Sequence, residues 1–502
     1  MNLDLKHYLS FIVGQALGII CSILAMALLA RILGPEGLGR WAMITAAATL
    51  FHLIFINWIQ QDPFLRFGKE EWIKTGGVRD TWSARLPLII LGLLITFLAL
   101  IATPREWIGR LFLLTRTDQL LTFAFFICIT ISIEIQTLLQ ITGRMTQLAL
   151  IPAGIAATSA LFYLGLRLAH LSSHQVGISL LGTLVLTLAL WIGFGVYDLR
   201  PSFIRLPRWN KDVAKTMLAY AWPIWPATLL GYCLNWGNQI IIKRLFSNHD
   251  VGLYQAAFQV HSQVVSLAVP YSTIVLPRLI GKHLEDPTVM RRYIHSIAPS
   301  AFCLWLLAMI PMITLLPFLF IVVYGHSFSL SLPILNVLLM ATPLCALGQI
   351  YTVLYSVQGK MDKVLWILAF MLTVYLLATW IILPSASIAG IAGAFSAAFM
   401  VAQYATFYYQ HRVLHEPALK VNVLFLSALI FSLGQLTLHS AELRAAWGAV
   451  SLGLLIYVAR NIAAVDEGVL RNILTGRLHP LGSFLIKIIV PPEQRASERL
   501  GD

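Results

Sequence analysis

The chain has 502 residues, 58% of them hydrophobic and only 11% charged, against roughly 25% charged in a soluble domain. That balance excludes a water-soluble globular protein and leaves an integral membrane protein. The net charge of +13 suggests nucleic acid as a partner, but the cations are spread over short loops and not gathered in one patch, so no nucleic acid is implied.

A helix needs about 20 apolar residues to cross a hydrocarbon core of roughly 30 Å. Fourteen runs of that kind follow one another: 8–30, 41–61, 85–103, 119–141, 147–167, 176–197, 217–242, 251–280, 298–323, 331–357, 364–383, 388–410, 420–438 and 445–461. The first is preceded only by Lys6 and His7 and has no small-residue cleavage site, so it reads as a retained span and not a signal peptide. With the N-terminus in the cytoplasm, 26 of the 35 Lys and Arg fall on the inner side, among them Arg66, Arg85, Arg144, Lys211 and Arg291. This positive-inside asymmetry sets the orientation, and an even number of spans puts both termini in the cytoplasm. The expected fold is all-α and integral to the membrane. A basic, Pro-containing linker at 198–216 separates a six-helix bundle over 1–200 from a second over 201–416. Two added helices over 417–462 and a cytoplasmic tail over 463–502 follow. In that tail Phe484–Val490 is apolar but too short to span, and suits the membrane surface or docking on the protein.

The corner between the first two runs reads Arg31-Ile-Leu-Gly34-Pro35-Glu36-Gly37-Leu-Gly39-Arg40-Trp41. Its pattern of a cation, seven residues, Gly, one residue and an aromatic returns as Arg244, Gly252 and Tyr254, each 213 positions later. Six crossings separate the copies, so the halves are expected to be pseudo-symmetric about an axis along the membrane normal, with a space between two bundles. Gly39 and Gly252 read as tight-turn or close-packing residues, and Trp41 and Tyr254 as interfacial belt aromatics. Pro223, Pro226, Pro270, Pro277, Pro311 and Pro317 concentrate in spans seven to nine, where kinks suit moving helices.

No catalytic motif is present. None of the three Gly-Lys pairs completes a phosphate loop, and His415-Glu416-Pro417 is not a zinc-protease helix. The five Cys lie singly in apolar runs as buried small hydrophobes, so neither a metal site nor a cofactor is expected. Polar groups within the spans are the remaining signal. Glu134, flanked by isoleucines in the fourth span, is a candidate for proton or cation coupling, or a structural hydrogen bond between helices. Arg31, Lys243 and Arg244 stand at outer helix ends, where they either snorkel to the interface or hold an anionic phosphate. His52, Asn57, Gln60, Gln61 and Asp62, then Asn235, Asn238 and Gln239, then Gln255, Gln259, His261 and Gln263, either line a hydrated cavity that grips sugar hydroxyls or bridge packed helices.

The run Leu28-Leu29-Ala30-Arg31 through Gly39 resembles the end of the first helix in polysaccharide exporters of the multidrug/oligosaccharidyl-lipid/polysaccharide flippase superfamily. Val251-Gly252-Leu-Tyr254 with Leu276-Pro277-Arg278 resembles that family's eighth helix, and Tyr324-Gly325-His-Ser-Phe328 its loop between helices nine and ten. The resemblance implies a flippase of the bacterial inner membrane that carries undecaprenyl-diphosphate-linked oligosaccharide to the outer leaflet for exopolysaccharide or O-antigen assembly. Its implied partners are the lipid-linked substrate, membrane lipids, a polysaccharide polymerase and glycosyltransferases. Many relatives carry an Asp near the end of helix seven where this chain has Asn238, and a neutral amide cannot titrate, so ion coupling shifts to Glu134 as candidate. A drug/cation antiporter of the same superfamily is the nearest alternative and should hold more intramembrane acids. A membrane polysaccharide polymerase or ligase would need a larger outer loop than this chain has.

Overall fold

The computed structural model describes residues 5–60, 62–101, 114–168, 210–222, 224–272, 288–358, 360–382, 387–438 and 440–467, with isolated residues between them. Among these every regular element is a helix, and ten helical segments are long and apolar enough to cross a membrane. The chain is thus a multi-pass, all-α membrane protein. The expected span 176–197 lies mostly outside the described residues, as do Gln61, much of the loop 104–118 and three of the seven residues of Phe484–Val490.

Helix α1 (Leu5–His52) carries the first two expected spans and bends at Gly34, whose φ of 65° and ψ of 178° are non-helical. Only glycine takes that conformation without strain, and Pro35 restarts the helix in the position where its missing N–H is not needed. A π-helix (Leu53–Asn57) follows, then a short helix Trp58–Gln60, α2 (Asp62–Thr75), α3 (Arg79–Ile101), α4 (Arg116–Thr142) and α5 (Met145–Leu168). α1 runs along α5, close enough that a methyl on Gly18 would just touch Ala153. A capping box of Thr115 and Asp118 starts α4, and the Arg40 Nε donates to Asp118 Oδ1 at 2.7 Å, which ties the corner to that helix end.

The expected linker is partly helical. α6 (Lys211–Ala221) starts at Asn210, whose Oδ1 accepts from the backbone N–H of Asp212 and Val213. It packs Ala214 and Met217 against Ala84 of α3 and Phe67 of α2. The span expected at 217–242 is therefore divided, and α7 (Ile224–Leu245) begins after the turn at Trp222. α8 (Asn248–Ser266) then ends 213 residues after Leu53 (266−53), where α1 gives way to the π-helix. The repeat thus extends from the corner to the break that follows it.

Met1–Gln259 with Val323–Ser331 form one compact unit, and Val260–Val322 with Leu332–Asp502 a second. In the second, a short helix Val289–Arg292 and a π-helix Tyr293–Ile297 lead into α9 (Ala298–Tyr324), which contains Pro311 and Pro317. α10 (Ser331–Ala341) and α11 (Cys345–Val357) are joined by the 3-10 turn Thr342–Leu344. This run buries 72% of its most apolar window against 17–39% for the other nine spans, so it is the enclosed one. α12 (Met361–Ile382), α13 (Ile388–Val413), α14 (Leu419–Thr437) and α15 (Ala441–Asn461) complete the unit, α12 packing on α13 and α14 on α15. Beyond α15 the chain stays docked. Ser296 Oγ donates to Asp466 Oδ2 at 2.5 Å, and the Asp466 N–H donates to Ser300 Oγ at 3.1 Å.

Candidate functional site

Within the first unit the two copies of the corner meet. A Cβ on Gly39 would stand 1.8 Å from the carbonyl oxygen of Asn248, and one on Gly252 would stand 1.7 Å from that of Pro35. Only hydrogen fits at such distances. The contact is reciprocal: each oxygen belongs to the residue four before the opposite glycine (39−35 and 252−248), and Pro35 and Asn248 are again 213 apart. The repeat therefore closes on itself through a pseudo-two-fold backbone crossing of the Cα–H···O kind. Gly39 and Gly252 are close-packing residues, and the turn falls to Gly34 in one copy and Ser247 in the other. The Ser247 Oγ accepts from the Asp250 N–H at 3.3 Å and caps α8. Tyr254, expected in the interfacial belt, is fully buried and stacks on Phe258 at 5.7 Å, because the crossing draws its helix start into the protein.

The candidate cations lie on the helices that lead into this crossing, Arg31 on α1 and Lys243 and Arg244 in the last turn of α7. Arg31 is exposed, with its Nε 3.7 Å from the Cβ position of Gly325 in the turn before His326–Phe328, so that turn meets the same corner stretch, 28–39, that Gly252 crosses. Lys243 is half-buried within electrostatic reach of Glu36, and Arg244 is exposed. Below them, Gln239 Nε2 donates to Gln255 Oε1 at 2.7 Å and Gln255 Nε2 to Gln259 Oε1 at 3.5 Å, an amide ladder between α7 and α8. The Gln239 Oε1 is buried without a hydrogen-bond partner, and Asn238 beside it is fully buried. Asn235 is exposed and donates to the Gly231 carbonyl at 2.8 Å. Asn57 sits buried in the π-helix, whose Ile54 carbonyl accepts from Trp225 Nε1 of α7 at 3.1 Å.

The two histidines do not join this group. His52 lies inside the N-terminal bundle, its Nε2 2.9 Å from Gln60 Oε1 and its ring edge-on to Phe126. His261 belongs to the second unit, its Nδ1 2.9 Å from Thr342 Oγ1 and its ring edge-on to Phe395 and Phe399.

Glu134 has a partner that sequence reading assigned to a loop. Arg85, 1% exposed, donates to Glu134 Oε1 through Nη2, while Nη1 reaches the Gln60 carbonyl at 3.4 Å and the guanidinium lies 3.3 Å over the Phe64 ring. Gln60 Nε2 donates to Glu134 Oε2 at 2.9 Å and to the Thr130 carbonyl at 2.6 Å. A lone acid inside a span calls for a cation nearby, and Arg85, at the edge of the third apolar run, was the signal available. Among the described residues no group of His, Cys, Asp and Glu is arranged to hold a metal ion.

A family profile described as "Polysaccharide biosynthesis protein" matches residues 5–283, more than half of the chain. Among curated protein sequences none matches it. Among solved structures, "Lipid II flippase MurJ, inward closed conformation" aligns with a TM-score of 0.66 at 13% identity, covering 92% of this chain and 100% of that one. "Crystal structure of MATE in complex with MaL6" aligns with a TM-score of 0.54 at 15% identity, covering 84% and 96%. At such identities the likeness is one of fold. The matched profile, which covers more than half of the sequence, establishes that the chain belongs to the polysaccharide biosynthesis protein family.

Proposed function

We propose that this protein is a transporter and not an enzyme, moving an undecaprenyl-diphosphate-linked oligosaccharide from the cytoplasmic to the outer leaflet of the bacterial inner membrane by alternating access, with both termini in the cytoplasm. Polysaccharide or O-antigen assembly consumes the product, so glycosyltransferases act before it and a polymerase after it. The observation that carries this reading is the Gly39–Gly252 crossing, with Arg31, Lys243 and Arg244 on the helices that lead into it. A diphosphate head with sugars cannot enter hydrocarbon, whereas the prenyl tail can stay in lipid while the head passes a polar, cationic path that one end closes. Guanidinium forks suit diphosphate, and the α7–α8 amides suit hydroxyls. A cation or drug antiporter fits less well, because the charge of Glu134 is already balanced by Arg85, and ion coupling through Glu134 would have to break that pair. The test is reconstitution into vesicles with lipid-linked sugars of defined structure and an external sugar-modifying enzyme. Protein-dependent change in enzyme access supports transport; no change with any acceptor refutes it.

A further inference from the structure

Transport leaves one face of α6 unexplained. Its residues Ala214, Met217 and Ala221 are buried, the first two against α2 and α3. A separate stripe, Lys211, Lys215, Leu218 and Trp222, at i, i+4, i+7 and i+11, is exposed, Leu218 by 37% and Trp222 by 67%. Two ammonium groups open the stripe and two apolar side chains close it, where α7 begins. That order matches the step from headgroup to acyl chain at a membrane surface. The helix's one acid, Asp212, lies about 100° round from Lys211. Arg66 of α2, also exposed, lies 4.6 Å over the Tyr220 ring on the flank, its charge shared with Glu70 at 3.9 Å. The Trp222 ring stacks on Trp225 at 6.2 Å, and Trp225 is in turn held by the Ile54 carbonyl, so the apolar end of the stripe is fixed in place.

We propose that this stripe is a docking surface for anionic phospholipid, with headgroup phosphates on Lys211 and Lys215 and with Leu218 and Trp222 at the acyl boundary. The chemistry is that of an interfacial basic helix, where charge attraction and buried apolar area act together. Bound there, anionic lipid steadies the start of α7, the helix whose other end carries Lys243 and Arg244. The inference rests on α6 standing at a lipid surface and is independent of the cargo.

The test places the full-length protein in vesicles of phosphatidylcholine and phosphatidylglycerol, with one or the other lipid brominated in both leaflets. Subtracting the signal of a Trp222→Phe variant isolates Trp222 among the fourteen tryptophans. Brominated phosphatidylglycerol should quench Trp222 more strongly, with a preference of about 25-fold that drops about fivefold per lysine in Lys211→Gln and Lys215→Gln. It should collapse in 1 M salt, where the screening length is about 3 Å. Salt titration of the unaltered protein carries the test if the double variant fails to fold. Equal quenching by both lipids, or a preference that survives both salt and the lysine changes, overturns the proposal. So does quenching relieved by a polyprenyl diphosphate in neutral vesicles but unmoved by phosphatidylglycerol, which would make the stripe a cargo site. Because both leaflets are labelled, failure here is separate from failure of the transport reading.

Discussion

Replacing Glu134 by Gln removes the carboxylate that balances Arg85 while leaving the shape of the site. Arg85 is 1% exposed, and its remaining contacts are the Gln60 carbonyl at 3.4 Å and the faces of Phe64 and Trp82, with Nε already lacking a hydrogen-bond partner. Removing one partner of a buried ion pair costs about 3–5 kcal/mol, because the other charge stays buried without compensation. For a unit of this size each kcal/mol lowers the midpoint by roughly 2–4 °C, so Glu134→Gln should melt on the order of 10 °C earlier in detergent, read by intrinsic fluorescence. Arg85→Met with Glu134→Leu takes both charges away and should recover most of that loss. The reasoning fails if Glu134→Gln melts with the unaltered protein, or if the apolar pair melts lower than the single variant. Transport by the stabilised apolar pair then separates two roles: retained flux leaves the pair structural, and lost flux returns ion coupling to Glu134.

Ala at Gly39 or Gly252 would drive a methyl into a backbone carbonyl, so either variant should hold the crossing apart and raise thiol labelling of a cysteine placed at Val251, buried beside Gly252, whereas Gly231→Ala, which meets open space on α7, should leave labelling unchanged. Trp225→Phe strands the Ile54 carbonyl of the π-helix and should cost about 1–3 kcal/mol, seen as a fall in melting temperature of several degrees. Arg31→Ala combined with Arg244→Ala should slow flipping of lipid-linked diphosphate at unchanged membrane abundance; an unaltered rate would leave these side chains a snorkelling role only.

The corner was legible because glycine and proline act on the backbone itself: Gly34, Pro35, Gly39 and Gly252 mark a turn and a close approach whatever surrounds them. The spans were legible because hydrocarbon thickness sets their length. Rotation of each span was not. In a membrane helix the lipid face and the packed face are both apolar, so hydrophobic periodicity does not say which way His52, Asn235 or His261 turns. His52 therefore reads like Gln255 in the sequence, yet one bonds Gln60 inside a bundle and the other joins the α7–α8 ladder. By sequence Arg85 groups with the loop cations because it stands at the edge of its apolar run, and the packing of α2, α3 and α4 is what brings Glu134 to it. The helical part of the linker, 211–216, is not legible because its one buried position, Ala214, is small, while its lysines dominate the composition.

The crossing of Gly39 and Gly252 also constrains how the proposed cycle can be driven. A Cα–H···O contact contributes about 0.5–1 kcal/mol, so the reciprocal pair holds the corner shut by about 1–2 kcal/mol together with the dispersion of closely packed backbone. A contact with no side chain at its centre has no rotamer to reset when it parts, and its strength is set by fit alone. An anionic head that engages Arg31 and Arg244 better in the open arrangement needs a differential of only about 2 kcal/mol to shift the balance roughly thirtyfold. That is within reach of one charge-assisted hydrogen bond, typically about 1.5–3 kcal/mol. The backbone crossing therefore suits a seal opened by its cargo, whereas the buried Arg85–Glu134 pair, at about 3–5 kcal/mol to break, suits a part that stays rigid while the seal moves.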